Sequence, residues 1–323
     1  TTSLRTNTTG ADNVAVGHAA LYTNNGANNV AVGRGSMFAN TTGADNVSVG
    51  MNSLDANTTG ASNVAVGKDA LGVNTTGGEN VAIGKGALDA NTTAGQNTAI
   101  GTAALGANID GALNVAVGAN ALLANTTADQ NTSVGALSMD ANTTGANNTA
   151  VGTSALGANT TASNNVAIGT NALILNTTGA ENVAVGYAAL DANTTASYNT
   201  GIGHDALGSN TTGASNTAVG YNSMAVNTTG ANNVAVGNNA LDANNGGGNV
   251  AVGNAAMTSN TTGGDNVAVG NTALGANTTG DLNIAVGASA LAANTTGTRN
   301  TAIGYYTLDS SDTENDNLAI GYN

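Results

Sequence analysis

The sequence predicts an all-β fold: a parallel β-solenoid, or β-roll, of about nineteen 17-residue coils forming one array over residues 1–323. Three observations predict it. A glycine recurs from Gly17 to Gly321 at intervals of 17 residues, with only two intervals of 16, and self-similarity at such a period marks a chain that stacks one small unit on the next. Each glycine closes a segment such as Asn13-Val14-Ala15-Val16-Gly17, in which branched and small residues alternate with the period of a strand. The composition is 41% hydrophobic but only 2% aromatic and 7% charged. That excludes a bulky aromatic core and the charge-rich make-up of disorder, and it fits a narrow core of aliphatic side chains.

Numbered 1 to 17 from its first Asn, the repeat reads N-[VT]-A-[VI]-G-x-x-[AS]-[LM]-x-x-N-T-T-[GA]-x-x. Position 1 is Asn in all nineteen copies, and stacking turns Asn13, Asn46 and Asn63 into a ladder whose amides hydrogen-bond from coil to coil. Positions 2 to 4 are a short strand, too short for a helix and rich in β-branched residues. Alternation puts positions 2 and 4 on one face, and the larger side chains, Val16 among them, are expected to point inward. Gly17, Gly50 and Gly67 at position 5 suit a corner that needs a positive φ or has no room for a Cβ. Position 9 is Leu or Met in every copy; Leu54 and its equivalents supply the second inward side chain, on an expected second short strand.

Positions 12 to 15 have the chemistry of a turn. Both 16-residue intervals arise there, where N-T-T-G shortens to Asn24-Asn25-Gly26 and Asn244-Asn245-Gly246, so this segment is expected to lie outside the packed frame. Position 3 is Ala, Ser or Gly, and position 8 is Ala or Ser except at Thr307. Read as outward faces, these small columns point to close contact with further copies, a homo-oligomer or filament; the alternative is a tight monomeric coil in which Ala fits crowded corners. At about 4.8 Å per coil the array would make a rod of roughly 85–90 Å. The copy at 300–316 is atypical, with Ser310-Ser311-Asp312 in place of N-T-T and tyrosines at 305 and 306, as expected of a copy that caps a stack. The chain begins and ends inside a repeat, which reads as a segment of a longer protein.

The runs N-V-A-V-G and N-T-A-I-G, as in Asn80-Val81-Ala82-Ile83-Gly84, resemble the head repeats of YadA-like trimeric autotransporter adhesins. The longer phrase at 210–224 is similar to repeats of bacterial and phage fibre proteins that precede a self-cleaving chaperone domain. The resemblance covers nearly the whole chain. It implies a homotrimeric, left-handed parallel β-roll on a cell or virion surface. Head repeats of that family are typically fourteen residues long, and the excess here falls in N-T-T-G.

The charge balance, −14 with five basic residues, leaves no basic patch for nucleic acid or anionic membranes. No apolar run approaches the roughly 20 residues that span a bilayer, and the absence of cysteine excludes disulfides and thiolate sites. Catalysis needs different groups converging at one place, which a translational repeat does not favour. His18 and His204, eleven coils apart and about 50 Å distant along a stack, read as solvated surface residues. No enzyme, cofactor or metal site is expected; the acidic positions are interrupted by Ala, Gly and Asn and read as wet edges. N-T-T recurs fifteen times, which makes Asn40, Asn57 and Asn74 formal glycosylation acceptors on an expected solvent loop. The functional expectation is a structural extracellular fibre or filament protein with an adhesive or spacing role, meeting other copies, a cell surface or matrix. The alternative is an ice-binding solenoid, disfavoured here because the threonine columns sit in the turn rather than on a strand.

Overall fold

The computed structural model describes residues 2–322. The chain divides into two compact units, Thr1–Asn164 and Asn165–Asn323, each a parallel β-solenoid. Among the described residues the first unit carries nine short strands, from Val14–Val16 to Thr149–Val151, the second carries ten, from Val166–Ile168 to Leu318–Ile320, and there is no helix. Neighbouring strands pair in parallel and position for position: Val47 with Val64, Ser48 with Ala65, Val49 with Val66. The 16-residue coils keep this register, since Val14 pairs with Val30 and Val234 with Val250.

Hydrogen bonding does not stop at the strand. In the coil 46–62, the N–H groups of Val47, Leu54, Ala56 and Thr58 donate to carbonyls of the following coil, and those of Gly50, Asn52 and Ser62 donate to the preceding one, at 2.8–3.1 Å. The turns are thus stacked as tightly as the strands, which satisfies the backbone polar groups that a narrow solenoid buries. The expected second strand is absent. Asn52 and Leu54 both have left-handed backbone, at φ 54 and 51, and Ser62 a third such residue at φ 59; these reverse the chain where an extended segment was expected. Gly50 has φ 144, and a Cβ there would lie 2.4 Å from the carbonyl oxygen of Gly67, so both reasons for glycine at position 5 hold at once.

The strand faces the opposite way from the sequence expectation. The small residues point in: Ala31, Ser48 and Ala65 at position 3 and Ser53 and Ala70 at position 8 are fully buried, together with Leu54 and Leu71 at position 9. The branched residues point out. Val16 is 57% exposed in the first coil and Val49 is 37% exposed in an interior one, so position 4 is not an inner ladder. Gly201 shows the cause, because a Cβ placed there would meet the Leu190 side chain at 3.3 Å. Each coil has room for one large side chain, the Leu or Met of position 9, and everything opposite it must be small. Burying that Leu is worth about 1.5–3 kcal/mol, which offsets the roughly 1–2 kcal/mol cost of its left-handed backbone.

Candidate functional surface

Two asparagine ladders hold each coil in register. In the first, the Oδ1 of Asn46 accepts from the backbone N–H of Asn63 at 2.9 Å, while its Nδ2 donates to the carbonyl of Gly60 at 2.9 Å; Asn13 begins the same ladder, accepting from Asn29. The second ladder is position 12, in the segment expected to lie outside the packed frame. Asn57 donates from Nδ2 to Asn40 Oδ1 at 2.8 Å and to the Gly60 carbonyl at 2.9 Å. Both amides of a coil therefore converge on one carbonyl, and this cross-brace fixes the turn to the strand.

This corrects the placement of Asn40, Asn57 and Asn74. All three are fully buried, and their Nδ2 atoms, where a glycan would attach, donate inside the stack. Only the following threonines reach the surface. Their first hydroxyl serves the stack as well, as where Thr58 donates to the Thr75 carbonyl at 2.9 Å.

The surface so supported is the outer face of the sheet. Positions 2 and 4 form two parallel files, Val47, Val64, Val81 and Thr98 beside Val49, Val66, Ile83 and Ile100 in the first unit, all half-buried or exposed. Thirty-seven of the 38 residues in these files along the sequence are Val, Ile or Thr, Leu318 being the other, and none is charged. Along each file the interval is about 4.8 Å and across the strand about 6.7 Å. Branched side chains have few rotamers, so the methyl groups are held at these intervals.

Away from the sheet the surface is acidic and shallow. A groove of about 600 Å³ in the first unit is lined by Asp69, Lys85, Asp89, Ala103 and Leu123 among others, and one of about 470 Å³ in the second by Asp191, Asp205, Ser209 and Asn222. Partial burial, with Asp69 nearby, raises the pKa of Asp55 and Asp89; partial burial, with Asp205 nearby, raises that of Asp191, and burial alone raises that of Asp242. Among the described residues no group of three or more His, Asp or Glu side chains could hold a metal ion.

His18 is exposed. His204 is not simply solvated: its ring stacks between Tyr187 and Tyr221, with centroids 5.1 and 5.4 Å away, and its Nδ1 lies 2.9 Å from Asp205 Oδ2. The sequence signal was there, three aromatic rings at position 6 of successive coils. In the atypical copy the coil persists, Thr301 pairing with Leu318. Its altered turn is organised by Glu314, which accepts from Ser311 and from the N–H groups of Asp312 and Thr313, and by the forked pair of Arg299 with Asp316.

No protein-family model matches the sequence, and no curated protein matches it.

Proposed function

We propose that the chain is a structural and adhesive element of an extracellular or cell-surface fibre, working through repeated contact rather than through a single pocket. The observation that supports it is the sameness of the outer face: coil after coil offers the same uncharged pair of branched residues on a strand fixed in register. Contacts that are weak singly become strong when many are engaged together. Non-catalytic action is part of the reading, because among the described residues Ser209, which lines the second-unit groove with Asp191 and Asp205, makes no hydrogen bond to either carboxylate that would activate it.

With the strand facing this way, the small residues are not free to meet further copies. The small columns at positions 3 and 8 are used up inside the coil, and the uncharged files at positions 2 and 4 are the repeated surface left for adhesion. Sedimentation equilibrium and negative-stain imaging of the intact chain test the fibre reading. Elongated particles bearing several chains, or a defined oligomer, are the expected result; compact, non-associating monomers that bind neither cells nor matrix polymers would count against it.

A further inference from the structure

We propose that the outer sheet face binds crystalline water, so that the surface this protein adheres to is ice. The inference deepens the adhesive reading by naming a ligand for its working face, and it rests on the pattern of side chains on that face.

The files at positions 2 and 4 keep a shape and are indifferent to polarity. Position 2 is Thr in Thr98, Thr132, Thr149, Thr200, Thr217 and Thr301 and Val in most other coils, two side chains of the same outline that differ by a methyl and a hydroxyl. An exposed strand face held only to solubility would also use Lys, Glu, Gln or Ser, and none occurs there in a chain of net charge −14. A dry contact with a second protein surface would demand the methyl, since a hydroxyl stranded there costs about 1–3 kcal/mol, and Val and Thr are not interchangeable in packed cores. Among the described residues the hydroxyls of Thr98, Thr132 and Thr217 have no acceptor within the chain, unlike those of Thr58 and Thr75. A ligand that accepts methyl and hydroxyl at equivalent points, and requires those points to be evenly placed, is an ordered layer of water.

The spacing fits. Intervals of about 4.8 Å along the files and about 6.7 Å across them lie within about a tenth of the two short repeats of hexagonal ice, a match that holds over a few successive coils and not along a whole file. The two shortened coils leave the pattern intact, with Val16 opposite Val32 and Val236 opposite Val252. Each unit thus presents a regular two-file array about 40 Å long, with side-chain rotamers already fixed before contact, which lowers the ordering cost of binding.

The test uses the intact chain in an ice-growth assay, measuring the gap between melting and freezing points and the shape of single ice crystals. Ice growth should be arrested with faceted crystals. The double variant Ile100→Lys with Val134→Lys, both on the outer face, should lose most of this activity while its circular dichroism is unchanged. Thr59→Lys with Thr76→Lys, on the turn, should keep it. Conversion of Thr98, Thr132 and Thr149 to Val should also keep it. Absence of any effect on ice growth, or activity that survives the lysine pair, overturns the proposal. So does concentration-dependent association that is lost in the lysine pair without any ice activity, which assigns the face to other copies. An associating fibre without ice activity leaves the adhesive reading standing while this one falls.

Discussion

At the residue scale the coil depends on side chains whose roles cannot be exchanged. Gly118 has φ 142, and a Cβ there would lie 2.4 Å from the carbonyl oxygen of Gly135. Gly118→Ala is therefore expected to destabilise the first unit by about 3 kcal/mol or more, combining left-handed strain with a backbone clash; hydrogen exchange of the flanking strands would measure it. The raised carboxyls set a pH dependence of definite sign. A carboxyl with a higher pKa folded than unfolded binds its proton more readily in the folded chain. Stability is then greatest below the ordinary carboxylate range and falls as pH rises through the raised folded value. Partial burial, with Asp205 nearby, raises Asp191, so Asp191→Asn should raise the melting temperature at neutral pH and have progressively less effect toward the carboxylate range. Glu314 and Asp316, lowered by hydrogen bonds from their own turn and from Arg299, act with the opposite sign, but in full contact with solvent their influence is screened.

At the scale of the coil, the binding energy lies in the stacking of turns and amides as much as in the strand. Asn131 Oδ1 accepts from the N–H of Asn148 and its Nδ2 donates to the Gly145 carbonyl. Asn131→Ala takes the side-chain acceptor from the buried N–H of Asn148, while the Gly145 carbonyl keeps its bond from Asn142, and should cost about 1–3 kcal/mol, whereas loss of an exposed threonine such as Thr59 should cost almost nothing; comparing their chemical unfolding midpoints separates the two. Gly201 is the one glycine at a position that is otherwise Ala or Ser. Gly201→Ala gains about 0.5–1 kcal/mol through reduced freedom of the unfolded chain, but its Cβ would lie 3.0 Å from the Ala206 carbonyl oxygen and 3.3 Å from Leu190, so the two effects offset and the melting temperature should change little.

Much of the coil was legible before its geometry was known. The Asn column, the Gly column and the buried Leu54 follow from recurrence alone. Which face of the strand turns inward did not follow, because alternation gives two faces without saying which is inner, and bulk favoured the valines. A discriminating signal exists in the serines. The two coils with Ser at position 3 also have Ser at position 8, and Ser48 donates to the Ser53 carbonyl as Ser133 does to that of Ser138. Hydroxyls that change together are answering one another in a buried space. The second amide ladder was hidden for another reason, since N-T-T-G has ordinary turn chemistry and nothing local says that its Asn is enclosed. Left-handed leucines were beyond reach too, for that conformation is stabilised by the neighbouring coils and not by the residue.

At the scale of the whole molecule, each coil is bonded only to those beside it, and stability is a sum over neighbours rather than the property of one core. Removing one complete repeat, residues 114–130, joins Gly111-Ala112-Leu113 to Asn131 in the same phase. The shortened chain should keep its circular dichroism and its cooperative melting, losing only the share of one coil; a molten or aggregated product would show that the repeats are not equivalent. The shortened turns at Asn24-Asn25-Gly26 and Asn244-Asn245-Gly246 extend this point. Each lacks a residue, yet the strands beside it pair without a slip. One side of the coil therefore tolerates the loss of one residue between its buried Asn and the glycine carbonyl that the Asn still holds, at Asn24 and at Asn244, while the strand side keeps its length in every coil. A gene made of these units can drift in its turns and grow or shrink by whole repeats, and the surface it encodes stays the same at every length.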